Sequence, residues 1–268
     1  MRPLITLTTD FGTGSAYVAQ VKGVILSLCR EVDLIDLSHA ISAQNVREGA
    51  VVLADATPRF PAGTLHVAVV DPGVGTRRRI VYAEIGDQRY LAPDNGLLSL
   101  LVKQHPLRSL RVVDRPQYWL PQVSPTFHGR DIFAPAAAAL ARGTPLAALG
   151  EAIEPDSLAR LEPTRPAFEE GRVVAHVAYS DRFGNLALDV VHDDIPRTGL
   201  RVGRRLAVVV AGAEHEALFA LTFADVAEGE LVLYEDSYRH LALAVNRGSA
   251  AELLRAGPGD AVTLRALA

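Results

Sequence analysis

Apolar positions in the first half of the chain follow two alternating periodicities. Leu4–Thr8 is a short apolar, β-branched run, and the turn-forming Asp10-Phe11-Gly12-Thr13-Gly14 follows it. Tyr17, Val18, Val21, Val24, Ile25 and Leu28 then recur at helical spacing and form one apolar face. The alternation continues through Val32–Leu37 (strand), Val46–Ala56 (helix), Leu65–Val70 and Ile80–Ile85 (strands) and Asn95–Lys103 (helix). Leu110–Val113 (strand) and the alanine-rich Ile132–Ala141 (helix) complete it. Strands separated by helices imply right-handed crossovers, so residues 1–160 are expected to form an α/β domain whose mostly parallel sheet is flanked by helices. Pro155, Pro163 and Pro166 interrupt the periodicity, and a linker is expected at 161–170. Residues 171–268 change character. Val173–Ala178, Leu186–Val190, Leu206–Val210, Ala217–Phe223, Glu230–Tyr234, Leu241–Val245 and Ala261–Leu264 read as short strands, with one helix at Ala250–Leu254. Punctuated by Gly171, Gly203, Gly212 and Gly248, they predict a smaller antiparallel, β-barrel-like domain.

Composition narrows the function classes. Of 268 residues 49% are apolar and 22% charged, which excludes a disordered chain. The formal charge of −4 is the wrong sign for a nucleic-acid surface, so no nucleic-acid partner is expected. No run approaches the ~18 apolar residues of a membrane span. The N-terminal Met1–Leu7 enters a strand pattern directly, without the features of a signal peptide. The single cysteine, Cys29, allows no internal disulfide and no cysteine metal cluster. A cytoplasmic protein is expected.

Ligands of open parallel sheets bind beyond the carboxyl ends of the strands. The suspects are therefore Thr8-Thr9-Asp10-Phe11-Gly12, Asp71-Pro72-Gly73-Val74-Gly75-Thr76, and Thr126-Phe127-His128-Gly129-Arg130-Asp131 before the alanine-rich helix. Each also has a plain structural reading. Asp10 and Asp71 sit in turn signatures, and a lone histidine such as His128 often only caps or fills a loop. Gly73-x-Gly75 lacks the third glycine of a dinucleotide fingerprint. Convergence favours chemistry: a carboxylate, an imidazole and Arg77, Arg78 and Arg79 all fall at one predicted sheet edge. Arg77–Arg79 reads either as a solvated charge run or as a run from which one arginine turns inward. Asp10, Asp71, Asp94, Asn95 and His128 are metal-ligand types, but no ligand spacing such as His-x-x-x-His accompanies them, and no metal is expected. The other seven histidines form no cluster.

Together, Thr9-Asp10-Phe11-Gly12, Val70–Thr76 with Arg78, Ala92-Pro93-Asp94-Asn95-Gly96, Phe127–Asp131 and Asp181-Arg182-Phe183-Gly184-Asn185 resemble the S-adenosylmethionine (SAM) hydrolase, or SAM hydroxide adenosyltransferase, family. That family is related to fluorinating and chlorinating SAM halogenases. The resemblance spans nearly the whole chain. It implies an N-terminal α/β domain, a C-terminal β-barrel-like domain, and homotrimers with substrate between subunits. The implied reaction is SAM plus water giving adenosine and L-methionine, with SAM as substrate and no cofactor. The implied catalytic residues are Asp71, Arg78 and His128. The implied binding residues are Asp10 with Phe11 for the nucleoside, Asp181 and Ser237 for the methionine end, Asn185 for adenine, and Ser249-Ala250 for the adenine edge. Phe183 reads equally as core or as adenine stacking.

Two departures matter. Ser15 stands where relatives commonly carry an acid, which leaves Asp181 as the main partner of the substrate ammonium. In the related halogenases a tyrosine stands where this chain has Asp71 and a serine where it has Gly129; here both positions carry the hydrolase residues. A halogenase on the same scaffold and a non-catalytic SAM or adenosine sensor are the alternatives.

Overall fold

A computed structural model describes residues 2–162, 164–169 and 171–267; Pro163 and Glu170 of the expected linker lie outside the described residues, as does Met1, the first residue of the N-terminal stretch. The chain divides into two compact units, Met1–Leu161 and Glu162–Ala268.

In the first unit, β1 (Leu4–Thr9), β2 (Asp33–Ser38), β3 (Leu65–Val69), β4 (Ile80–Ile85), β5 (Gln88–Pro93) and β6 (Leu107–Val112) form one sheet in the order β2-β1-β3-β5-β4-β6. The β1–β2, β1–β3 and β3–β5 pairs are parallel, while β4 runs antiparallel to β5 and β6. Helices α1 (Tyr17–Leu28) and α4 (Ala134–Ala141) cover one face, and α2 (Val46–Ala56) and α3 (Ser99–Gln104) cover the other. Because β3 is covered on both faces, its run is apolar except for the buried His66. Leu65, Val67 and Val69 pack toward α1 and α4, while Ala68 and Val70 pack toward α2 and α3. The alanines of α4 bring its backbone close to the sheet, and Ala134, Ala136, Ala137 and Ala138 are fully buried.

Three elements depart from the expected pattern. Strand β5, absent from the hydrophobic reading, pairs with β4 through the two-residue turn Gly86-Asp87 in an Ile85↔Gln88 register. Helix α3 begins at Ser99 rather than at Asn95, because the Asn95 side chain binds the Leu97 N–H (3.2 Å) and Gly96 is left-handed. Ahead of α4, residues Gly129–Phe133 form a π-helical turn. A short α5 (Leu146–Leu149) follows α4.

The second unit is a closed barrel. It comprises β8 (Arg172–Ser180), β9 (Leu186–Val191), β10 (Arg205–Val210), β11 (Ala213–Phe219), β12 (Leu231–Glu235), β13 (His240–Val245) and β14 (Ala261–Ala266). Pairing of β14 with β8 closes the ring, and β7 (Ala167–Glu169) adds to β8 from within the expected linker. All pairs are antiparallel except β11–β12. The strand expected over Ala217–Phe223 lies at Ala213–Phe219 instead. Beyond it, the Asp225 carboxylate accepts the N–H groups of Leu221 (3.1 Å) and Thr222 (2.8 Å) and turns the chain. Helices α6 (Ile195–Thr198) and α7 (Ala250–Leu254) are short. Among the described residues no helix is long and apolar enough to cross a membrane.

Candidate active site

Parallel pairing of β1, β3 and β5 brings their carboxyl ends together, so the residues just beyond them share one edge of the sheet. Asp71 follows β3. Arg78, seven residues on, folds back over it: Arg78 Nε donates to Asp71 Oδ1 (3.0 Å) and Oδ2 (2.8 Å), and Nη2 donates to Oδ2. The same Nη2 reaches Nδ1 of His128 at 3.0 Å. Both members of the ion pair are withdrawn from water, with side-chain exposures of 4% for Asp71 and 10% for Arg78. Guanidinium is only a donor, so Nδ1 of His128 must accept, which leaves the ring proton on Nε2. The electrostatics agree: burial first, then the Arg78 charge, hold the His128 pKa below its usual 6.5, against the opposing pull of Asp71 and Asp131. His128 is thus a neutral ring presenting an Nε2–H donor.

Two loops hold this arrangement. His128 precedes the π-helical turn, whose buried Asp131 accepts the Ser124 N–H (2.8 Å) and is gripped by Arg130 (Nε to Oδ1, 2.6 Å). Burial alone would raise the Asp131 pKa, but these hydrogen bonds outweigh it and lower it. Gly75 is left-handed, and a Cβ there would run into the Pro125 carbonyl oxygen, so the loop carrying Asp71 lies directly against the loop carrying His128. Of the arginine run, Arg77 is exposed while Arg78 and Arg79 both turn inward; Arg79 binds Asp94 rather than Asp71.

Asp10 and Phe11 follow β1 at the same edge. Asp10 Oδ2 accepts the backbone N–H of Gln44 (2.8 Å), a non-glycine residue at φ 65°; the sequence carries no signal for this partner. Phe11 packs edge-on against Phe127 (5.7 Å) and Tyr17 (6.1 Å). Its ring also covers Gly129, where a Cβ would lie 2.9 Å from Phe11 Cζ, so a side chain at position 129 would have to displace Phe11. Among the described residues no three His, Cys, Asp or Glu side chains are grouped to hold a metal ion. Asp71 and Asp94 of the candidate ligand set are each paired with an arginine.

The other predicted binding residues gather in the second unit. Asp181, Asn185, Ser237 and Ser249 all line one open cleft of about 1080 Å³ on the barrel. Asp181 organises its own turn: Oδ1 accepts the N–H groups of Phe183 (2.8 Å) and Asn185 (3.0 Å), and Oδ2 accepts from Asn185 Nδ2 (2.8 Å). Gly184 in that turn is left-handed and abuts Ser249, and its carbonyl accepts the Ala251 N–H (2.9 Å). Ser249 caps α7 through its hydroxyl, which accepts the Glu252 N–H (3.1 Å). Ala250 is buried in the barrel core, so it offers the site only its backbone. Ser237 is exposed on the rim. Phe183, 61% exposed beneath the Arg182 guanidinium, is a cleft wall and not core. Sequence reasoning missed Phe223 and Tyr234, which stack edge-on at 4.8 Å in the same cleft. Asp181, Glu235, Asp236 and Glu252 also line it, against the single cation Arg247 among its described lining residues.

An α/β unit with a carboxylate–guanidinium–imidazole group at its strand ends, paired in one chain with a seven-stranded barrel, defines a two-domain class. The chain belongs to the SAM hydroxide adenosyltransferase family. It matches the family's N-terminal domain over residues 5–150 and its C-terminal domain over residues 175–263. It is 43% identical to the (R)-S-adenosyl-L-methionine hydrolase of Salinispora tropica, over 98% of each chain. It is 40% identical to the enzyme of that name from Thermus thermophilus, over 98% of this chain and all of the relative. The fluorinase of Nocardia brasiliensis is more distant, at 32% identity over 93% of this chain and 92% of the fluorinase. A crystal structure of an uncharacterized conserved protein from Thermotoga maritima superposes with a TM-score of 0.90 at 35% identity, covering 97% of this chain and 99% of that one.

Proposed function

We propose that this protein hydrolyses (R)-S-adenosyl-L-methionine to adenosine and L-methionine, by in-line attack of water or hydroxide on ribose C5′. The observation that carries the proposal is the interlocked Asp71–Arg78–His128 group. The sulfonium leaves as a neutral thioether, so no acid is needed at sulfur and no cofactor is invoked. The C5′–O bond forms as the C5′–S pair withdraws to sulfur; where water attacks, its proton passes to the Asp71 carboxylate, and where hydroxide attacks, no proton moves in this step. Asp71 Oδ1 keeps an acceptor direction for that water beside its bond from Arg78, and the Nε2–H of His128 supplies a donor. Arg78 fixes both partners, which is the positioning an in-line displacement requires.

The barrel cleft supports a cationic nucleoside. Its aromatic walls suit adenine, and its excess of carboxylates suits a substrate carrying both sulfonium and ammonium charges. We assign Asp10 to the ribose hydroxyls, Phe11 to an apolar wall of the nucleoside, Asp181 and Ser237 to the methionine end, Asn185 to adenine, and the Ser249-Ala250 backbone to the adenine edge. The proposed assembly is a homotrimer with substrate sites at subunit interfaces, in the cytoplasm; native mass spectrometry reads the subunit number.

The test is to supply each sulfonium epimer separately to EDTA-dialysed protein, with chloride present, and to separate the products by chromatography. Adenosine and methionine from the R epimer are expected. Formation of 5′-chloroadenosine, or no adenosine from either epimer, contradicts the proposal.

A further inference from the structure

Asp94 and Asn95 follow one another at the end of β5, and their side chains grip the two ends of the loop that carries Asp71 and Arg78. Asn95 Nδ2 donates to the carbonyl of Val70 (2.8 Å), the residue immediately before Asp71. Asp94 Oδ2 accepts from Arg79 Nε (2.8 Å), the residue immediately after Arg78, and the Asp94 N–H binds the Arg79 carbonyl (2.9 Å). The Asp94 side chain is only 4% exposed. Its other oxygen accepts the Ala159 N–H (2.8 Å), and Arg79 extends to the Ser157 hydroxyl (3.3 Å) and carbonyl. Residues 70 and 79 are therefore both pinned to one dipeptide.

Pro72 and the turn bonds from the Val74 N–H to the Asp71 carbonyl (3.2 Å) and from the Thr76 N–H to the Gly73 carbonyl (3.1 Å) shape the segment between those pins, but these local bonds do not fix where its two ends stand in the sheet. Yet the Arg78 fork has to meet Asp71 and His128 at the same time with hydrogen bonds of 2.8–3.0 Å. Such a bifunctional contact tolerates only small displacements of the Arg78 backbone. On the footing of the proposed roles of Asp71 and Arg78, we infer that Asp94 and Asn95 are positioning residues for the reaction: they set the separation of the Asp71–Arg78 pair from outside the site.

A double-mutant cycle on the full-length protein tests this. Asp94→Asn is expected to lower kcat about 10- to 100-fold. KM should stay within about twofold, because the barrel cleft is untouched. In an Arg78→Lys background, where the fork is already lost, Asp94→Asn should lower kcat by less than about twofold further. Arg79→Lys, which keeps the charge but loses the fork, is the second variant if Asp94→Asn does not fold, and the same pattern is expected of it. Wild-type kcat in a folded variant overturns the positioning role. So does an equal loss in the wild-type and Arg78→Lys backgrounds, which is what a merely structural residue would give. Wild-type kcat in Arg78→Lys alone would instead remove the proposed role of Arg78, and the inference with it.

Discussion

Asp71 and Asp181 each follow a strand, and each accepts three hydrogen bonds, but from different kinds of group. All three at Asp71 come from one guanidinium, in a site almost closed to water. At Asp181 they come from two backbone N–H groups and a neighbouring amide, in a turn open to the cleft. Asp236 in the same cleft follows the second style, taking the N–H groups of Tyr238 and His240 (both 2.9 Å) and the Tyr179 hydroxyl (3.0 Å). A side-chain cation can be shared, and Arg78 uses one nitrogen to orient His128 as well. Backbone donors instead shape a loop around its carboxylate. The first style suits groups that must keep an exact mutual geometry, and the second suits a surface that holds a ligand.

Damage to the two regions should therefore appear in different kinetic constants. Asp71→Ala is expected to lower kcat by about 10²–10⁴ with little change in KM, the usual loss for an acid–base group; steady-state rates against SAM concentration check it. A KM effect of that size with kcat preserved would collapse the distinction. Gly184→Ala forces a side chain into a φ of +78° against Ser249 and should lower stability by at least ~1–2 kcal/mol, seen as a reduced unfolding temperature together with a raised KM. Asp181→Ala removes the anchor of that turn. It is expected to raise KM about tenfold, equivalent to ~1.4 kcal/mol, while kcat stays close to wild type.

The smallest effect is in pH. Burial and Arg78 lower the His128 pKa from 6.5, so the folded protein binds this proton more weakly than the unfolded chain does. The ring's contribution to stability is complete above pH 6.5 and is lost as pH falls below it. A neutral His128 should likewise keep kcat/KM flat from pH 8 to 6.5, with the acid limb below 6.5; a limb centred above 6.5 would break the assignment of a donor Nε2–H.

Much of the first unit was legible because its strands and helices carry strong periodicity; Asp10 and Asp71 sit just beyond such strands, and His128 just ahead of the alanine-rich helix. The Asp71–Arg78–His128 group itself came from family resemblance. Strand β5 was missed because it opens on Gln88 and Arg89, although Gly86-Asp87 between two β-type runs is a hairpin signal. The helix start at Ser249 was readable, since serine three residues before Glu252 is a cap pattern. Gln44 was not readable: its left-handed backbone binds a carboxylate 34 residues earlier, and local sequence holds no trace of that. Arg79 was illegible for the same reason. Three consecutive arginines look alike until the fold delivers Asp71 to one and Asp94 to the next.

Attack of solvent oxygen on C5′ under the proposed control of Asp71, Arg78 and His128 is open to direct measurement. Turnover of (R)-S-adenosyl-L-methionine in ¹⁸O-water, followed by mass spectrometry of the nucleoside, tests it directly. One heavy oxygen is expected in the adenosine 5′-hydroxyl, with about 10²- to 10⁴-fold less labelled adenosine from Asp71→Ala over the same interval. Adenosine without the label, or label acquired equally by the Asp71→Ala protein, would contradict it.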